Sequence, residues 1–272
     1  MTQSALRVQH TTRRTMELVA TPAALVTGSY LAALTIAEVT LLTSGLVAGA
    51  LAHAILLVAL LTHYLAAPRV GYRRLLLALA LPSLIRLIGL TVPIASTSPL
   101  VWVVAAGVPT LLGALLCARA IDAVPSATLA WPGRDIGAQL AVAAGGVMHG
   151  LLAYLVLRPV PIIGQLDPIG VTSAVIGLGV FAAFTEELIF RGIIQPVATE
   201  AFGSRSGGIL VSTVVFTVMY LGSLSLPFIV LMFAIGLFFG WIVQESGSLW
   251  GVIAAHAALS VSFLVIWPFL LR

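Results

Sequence analysis

The chain has 272 residues, of which 60% are hydrophobic and only 8% are charged, with a net charge of +4. A soluble domain carries about a quarter charged residues, so this composition excludes an ordinary soluble protein and predicts a polytopic membrane protein. All thirteen basic residues are arginines that are scattered or lie at the ends of apolar runs, a pattern that argues against nucleic-acid binding. The single cysteine, Cys117, excludes an internal disulfide and a cysteine-rich metal site.

Nine apolar runs follow a polar, arginine-bearing tail at residues 1–17. About 20 apolar residues are needed to span a bilayer as a helix. Because the seventh run is short and the last is hard to assign, the pattern predicts an all-α bundle of eight or nine transmembrane helices. The runs are at residues 23–42, 45–66, 75–94, 99–118, 138–157, 171–194, 209–221, 228–243 and 249–271.

The arginines indicate an orientation and a boundary. If each run crosses the bilayer once, the tail and the loops 69–74, 119–134 and 195–208 share one side. The positive-inside rule then places the N-terminus in the cytoplasm. The polar, proline-containing connection 119–134 is the best boundary, so we expect N-terminal membrane helices at 1–134 and a second unit at 135–272.

The sixth run contains three ionisable residues, Glu186, Glu187 and Arg191. Such groups are costly at membrane depth and are functional by default. Glu187 and Arg191 are four residues apart and can pair on one helix face, whereas Glu186 is rotated by about 100°. The spacing predicts a structural ion pair and leaves Glu186 to act as a general base on water. The alternative is a stabilising ionic cluster or a helix end at the interface.

Three more polar residues lie near the ends or centres of later runs. His256 can bind a metal, donate to an oxyanion or bond a backbone carbonyl, and Ser260 follows it by four residues on the same face. Tyr220 can donate a phenolic hydrogen bond or serve as an interfacial anchor. In the N-terminal half, Glu38 and Arg86 are candidates for an interhelical pair.

The order of these residues resembles that of the CAAX protease and bacteriocin-processing (CPBP) family of intramembrane proteases, also called the Abi family. Its three motifs are Glu-Glu-x-x-x-Arg, Phe-x-x-x-His and His-x-x-x-Asn or Asp. The first matches in full as Glu186, Glu187 and Arg191. The second has Phe216 but Tyr220 where histidine is expected, and the third has His256 but Ser260 in place of Asn or Asp. The resemblance covers residues 135–270.

The resemblance implies an intramembrane endopeptidase that hydrolyses a membrane-associated peptide or protein by glutamate-activated water, without an acyl-enzyme. Glu186 would be the base, Tyr220 would replace its histidine partner, and His256 with Ser260 would stabilise the oxyanion. The metallo label often given to the family makes a divalent metal a candidate cofactor, with Glu186 and His256 as the obvious ligands.

Two other functions stay open at this point. Tyrosine is a poor base near neutral pH, since its unperturbed pKa is about 10. A catalytically degenerate family member would act as a membrane scaffold or as a binding partner of another membrane enzyme. A proton-coupled carrier is the third hypothesis, motivated by Glu38, Arg86 and His149.

Composition also bears on location. Abundant Ala, Leu, Val and Arg fit a bacterial protein, which predicts a multi-pass protein of the plasma membrane; a eukaryotic source would favour the endoplasmic reticulum.

Overall fold

The computed structural model describes residues 3–67, 72–93, 98–123 and 136–271, with side chains from residue 23 onward. These residues form helices and no strand, which confirms the all-α prediction. In this part of the chain, nine helices are long and apolar enough to cross a membrane, the upper of the two predicted numbers. They are α1 (Gln3–Ser44, with its apolar span at Ala23–Ser44), α2 (Leu46–Ala66), α3 (Arg73–Thr91), α4 (Pro99–Ala120), α5 (Ile136–Leu157), α6 (Pro168–Phe202), α7 (Arg205–Ser223), α8 (Leu226–Ser246) and α9 (Trp250–Leu270).

Short connections join each of the helices α6, α7 and α8 to the next helix in the chain. Local stop and start signals mark several of these helix ends. Gly203 ends α6 in the left-handed conformation, with φ of 61°, and Gly247 ends α8 in the same way, with φ of 65°. Glycine adopts this conformation without the steric cost of a Cβ. Ser204 and Ser225 cap the first turns of α7 and α8 by accepting backbone N–H groups. The helices α6, α7 and α9, which carry the predicted site, therefore belong to one run of four helices with short connections.

Helix α6 is longer and less regular than the sequence predicts. Two π-helical segments, Gly177–Phe184 and Leu188–Ile194, flank the single α-helical turn Thr185–Glu187. π-Helical turns are rare and occur often at functional sites. A 35-residue helix is longer than the ~30 Å hydrocarbon core requires, so we expect the two glutamates near its middle to lie at membrane depth.

Close packing of α5 on α9 fixes the helix that carries His256. A Cβ built on Gly146 would lie 2.0 Å from the carbonyl oxygen of Ala255, and one built on Gly150 would lie 2.7 Å from that of Leu259. Small residues allow such close backbone approach between membrane helices. The glycine-rich fifth helix is thus the surface against which α9 packs.

One buried core joins the two halves of the chain. Leu60 and Leu76 from the first three helices belong to the same cluster as Ile189, Phe216 and Phe239. Many large apolar side chains outside this core, such as Ile55 and Leu65, are exposed, as expected for a surface that faces lipid. The predicted boundary between residues 134 and 135 lies outside the described residues, so the two-part division remains a prediction.

The α5–α9 contact gives the first testable prediction. Gly146→Ala should destabilise the purified protein in detergent by about 1–3 kcal/mol, because the new methyl group meets backbone that cannot rotate away. Gly145→Ala is the matched control, since a Cβ there meets nothing within 4 Å. Thermal unfolding of both variants measures the difference; equal melting temperatures would contradict the described packing.

Candidate active site

Three helices bring the predicted residues around one cavity of about 180 Å³. Glu186 comes from α6, Tyr220 from the end of α7, and His256 and Ser260 from α9; all four line this cavity. The other two predicted residues, Glu187 and Arg191, are buried in α6 beside it, at 0% and 2% exposure. The sequence therefore selected a set of residues that are close together in space.

Glu187 is the central buried charge. Its Oε1 atom accepts a hydrogen bond from Arg191 Nη1 at 3.0 Å and lies 2.7 Å from His256 Nδ1. Its second oxygen, Oε2, is buried and has no hydrogen-bond partner among the described residues. Because a buried carboxylate is costly unless it is paired, the Glu187 charge depends on Arg191 and His256 together.

Arg191 contacts residues of three helices. Besides Glu187, it donates from Nη2 to the carbonyl oxygen of Gly236 in α8 at 3.3 Å. Its guanidinium also lies 4.5 Å from the centroid of the Phe216 ring, a distance suited to a cation–π contact. Arg191 thereby forms the ion pair that its spacing from Glu187 predicts, and its other contacts link α6 to α7 and α8.

The contact between His256 and Glu187 was missed by the sequence analysis, which paired Glu187 only with Arg191. A carboxylate at Nδ1 favours the proton on that nitrogen and fixes the ring orientation. The other nitrogen, Nε2, is then directed toward the cavity, where it lies 3.9 Å from Glu186 Oε2. The nitrogen that the imidazole presents to the cavity is consequently set by Glu187, a residue outside the cavity wall.

Glu186 has a different environment from its neighbour. Its side chain is 32% exposed, compared with 0% for Glu187. Oε2 accepts a hydrogen bond from the Tyr220 hydroxyl at 3.0 Å, and no arginine pairs with Glu186 among the described residues. The predicted rotation of the two glutamates is seen directly: one carboxylate is tied into the core and the other faces the cavity.

Tyr220 lines the cavity, and its hydroxyl bonds Glu186. Its ring packs edge-on against the rings of Phe216 and Phe228, with ring centroids 5.0 and 6.0 Å away, respectively. This packing directs the Tyr220 hydroxyl to Glu186. Ser260 lies one turn beyond His256 at the cavity wall. Tyr220 and Ser260 thus occupy the positions where the motif comparison expects histidine and Asn or Asp, and both present hydroxyl groups.

Several cavity residues carried no recognisable sequence signal. Phe228, Phe239 and Phe263 make much of the wall apolar, and Val103 from α4 closes one side. In an apolar sequence such side chains look like any other core or lipid-facing residue. Val103 is the only contribution to this cavity that comes from the N-terminal half of the described chain.

The side chains at the cavity do not fit a catalytic zinc site. Catalytic zinc is typically held by three protein ligands, whereas Glu186 and His256 offer two atoms, and the remaining nitrogen of His256 is directed at Glu187. Within the described residues, no group of three His, Cys, Asp or Glu side chains is placed to hold a metal ion.

Comparison with protein families identifies the segment that contains the site. Residues 168–262 match the family model described as Type II CAAX prenyl endopeptidase Rce1-like. This segment runs from the start of α6 into α9 and includes all six predicted site residues, so the match confirms the resemblance to the CPBP intramembrane proteases. Comparisons with curated proteins and with solved structures gave no match.

The buried ion pair gives a second prediction. Glu187→Gln should lower the free energy of unfolding by about 3–5 kcal/mol, because it leaves the Arg191 charge buried without its partner. Glu200→Gln is the matched control, because Glu200 pairs with Arg74 at the surface, where the side chains of Arg74 and Glu200 are 35% and 50% exposed, respectively. It should change the free energy of unfolding by about 0–1 kcal/mol. Unfolding curves of the two variants in the same detergent test this; a smaller effect at Glu187 than at Glu200 would contradict the structural role.

Proposed function

We propose that this protein, whose residues 168–262 match a CAAX prenyl endopeptidase model, is an intramembrane endopeptidase that uses Glu186 to activate water. One observation carries the proposal: the Glu186 carboxylate faces the cavity, bonded to Tyr220 and 3.9 Å from His256 Nε2. A carboxylate that is free of any arginine and close to an imidazole is suited to general-base chemistry.

The cavity has room for water and for part of a substrate. A single water needs only about 10–15 Å³ and two to four polar partners, and the cavity measures about 180 Å³. Glu186, Tyr220, His256 and Ser260 supply those partners. The aromatic wall from Phe228, Phe239 and Phe263 favours an apolar substrate group next to the cleaved bond.

The hydrolysis can be written with the residues present. Glu186 takes a proton from water as the water oxygen adds to the peptide carbonyl carbon, which converts the carbonyl oxygen to an oxyanion. The protonated Glu186 then gives its proton to the amide nitrogen as the carbon–nitrogen bond breaks. The products are a carboxylic acid and an amine, and no covalent enzyme intermediate forms.

His256 is placed to stabilise the oxyanion. With Nδ1 bonded to Glu187, donation from Nε2 requires the imidazolium form, whose positive charge the Glu187 carboxylate balances. Ser260 can supply a further O–H donor on the same cavity wall, whereas the single hydroxyl proton of Tyr220 is donated to Glu186. Donors held in place before the charge develops are worth more than mobile water in a low-dielectric site.

The substrate class follows from the location of the cavity. A peptide bond reaches it only when the substrate is itself associated with the bilayer, so we propose a membrane-associated peptide or protein tail. The family model names a prenyl endopeptidase, which makes a prenylated peptide the first probe. Arginine placement favours a cytoplasmic N-terminus, and we propose the plasma membrane of a bacterium as the location.

The general-base role gives a third prediction. In nanodiscs, cleavage of a quenched fluorescent peptide with a prenylated C-terminus should fall by ~10²–10⁴ in Glu186→Gln, because the amide cannot accept the proton of water. Glu245→Gln is the matched control at an exposed site at the end of α8, and its rate should equal that of the unaltered protein. Retained activity in Glu186→Gln would remove this residue from the mechanism.

A degenerate, non-cleaving family member is the second candidate, since Tyr220 and Ser260 replace two motif residues. The two candidate functions predict different effects of Tyr220 and Ser260 substitutions on cleavage. If the protein is a peptidase, Tyr220→Phe should reduce kcat by ~10², because the hydrogen bond that holds Glu186 in position is lost. If it is degenerate, the unaltered protein should be inactive and Tyr220→His combined with Ser260→Asn should gain cleavage.

A further inference from the structure

A second polar cluster lies at membrane depth in the N-terminal half, outside the segment that matches the protease family. It consists of Glu38 on α1, His53 on α2, and Ser83 and Arg86 on α3. Glu38, His53 and Ser83 are 1%, 0% and 0% exposed, respectively. A buried charge cluster among otherwise apolar helices has a cost that calls for a compensating role.

The carboxylate of Glu38 is the centre of this cluster. Its Oε1 atom accepts a hydrogen bond from Arg86 Nε at 2.8 Å, which is the interhelical pair that the sequence suggested. His53 Nε2 lies 3.6 Å from the same oxygen, and His53 Nδ1 lies 3.4 Å from the Ser83 hydroxyl. Glu38 thereby holds the Arg86 guanidinium through its Nε atom.

A second nitrogen of the Arg86 guanidinium contacts the C-terminal half. Arg86 Nη2 donates to the backbone carbonyl oxygen of Met219 at 2.9 Å. Met219 follows the last α-helical residue of α7, Val218, where carbonyl groups have no partner within the helix. A guanidinium held by a buried carboxylate therefore caps α7 one residue before Tyr220.

We propose that Arg86, anchored by Glu38, is a positioning residue that holds the Tyr220 hydroxyl on Glu186. The inference rests on the proposed function for its catalytic consequence, although the geometry is independent of activity. Arg86 donates a hydrogen bond to the peptide unit that joins Met219 to Tyr220. The Tyr220 hydroxyl in turn donates to Glu186 Oε2 at 3.0 Å. The N-terminal helices would thus contribute to the site through backbone placement, without touching the reacting atoms.

Position matters at this site because hydrogen bonds weaken steeply with distance and angle. A displacement of about 1 Å in a catalytic group can cost a large factor in rate. Beyond Tyr220 the chain turns through Leu221–Ser223 and starts α8 at Leu226, so a short connection restrains Tyr220 on one side and Arg86 restrains it on the other.

Fluorine NMR tests the placement without requiring activity. The protein contains five tyrosines, and uniform 3-fluorotyrosine labelling would give Tyr220 a resonance that Tyr220→Phe identifies by its loss. Arg86→Lys keeps the charge but cannot bond Glu38 and Met219 with the same fork geometry. We expect the Tyr220 resonance to shift in Arg86→Lys and to stay in place in the control Arg74→Lys, which alters another α3 arginine that bonds backbone carbonyls.

A double-mutant cycle tests the catalytic consequence. Arg86→Lys should lower kcat about threefold to thirtyfold with KM unchanged, and should have no further effect when Tyr220 is already phenylalanine. An equal loss in both backgrounds would show that Arg86 acts through general stability, which overturns the proposal. An unmoved Tyr220 resonance in folded Arg86→Lys protein would overturn it as well.

The two levels of the inference fail separately. If the unaltered protein cleaves no peptide, the proposed function is wrong, and the fluorine spectrum alone still decides whether Arg86 positions Tyr220. If Arg86→Lys does not fold, Glu38→Gln replaces it: the amide retains an acceptor for Arg86 but removes the charge. The Tyr220 resonance should then move in Glu38→Gln, and an unchanged resonance would overturn the proposal.

Discussion

The rest of the site depends on the pairing of the Glu187 carboxylate with Arg191 and His256. The carboxylate is completely buried, and a buried anion in an apolar bundle is tolerated only with partners. Those partners come from two directions, Arg191 in the same helix and His256 in α9. By satisfying its own charge, Glu187 joins α6 to α9 and at the same time directs the free imidazole nitrogen toward the cavity.

Adjacent glutamates can divide structural and chemical roles because a helix rotates successive side chains by about 100°. Glu187 is tied into the core, whereas Glu186 is partly exposed to the cavity and bonded to a neutral phenol. This division gives the chain one carboxylate that organises the site and a second that remains available to water. The π-helical segments on either side of the pair mark this part of α6 as irregular.

Much of the architecture could be predicted from sequence, since the length of each apolar run depends on local composition. The pairing of Glu187 with Arg191, and that of Glu38 with Arg86, also followed from charge at membrane depth. The contacts of His256 with Glu187, of Val103 with the cavity and of Arg86 with the Met219 carbonyl could not be predicted. They depend on which helices are neighbours, and on backbone atoms that every residue possesses.

The central claim is that Glu186 on α6 and His256 on α9 act on a shared water molecule. Locating ordered water in the cavity tests this claim most directly. A crystallographic determination of the protein in a lipid phase, at a resolution that shows bound water, makes the measurement. The account predicts a water molecule within hydrogen-bond distance of both Glu186 Oε2 and His256 Nε2. A cavity closed by the surrounding phenylalanines, or a Glu186 carboxylate turned away to pair with an arginine, would contradict it.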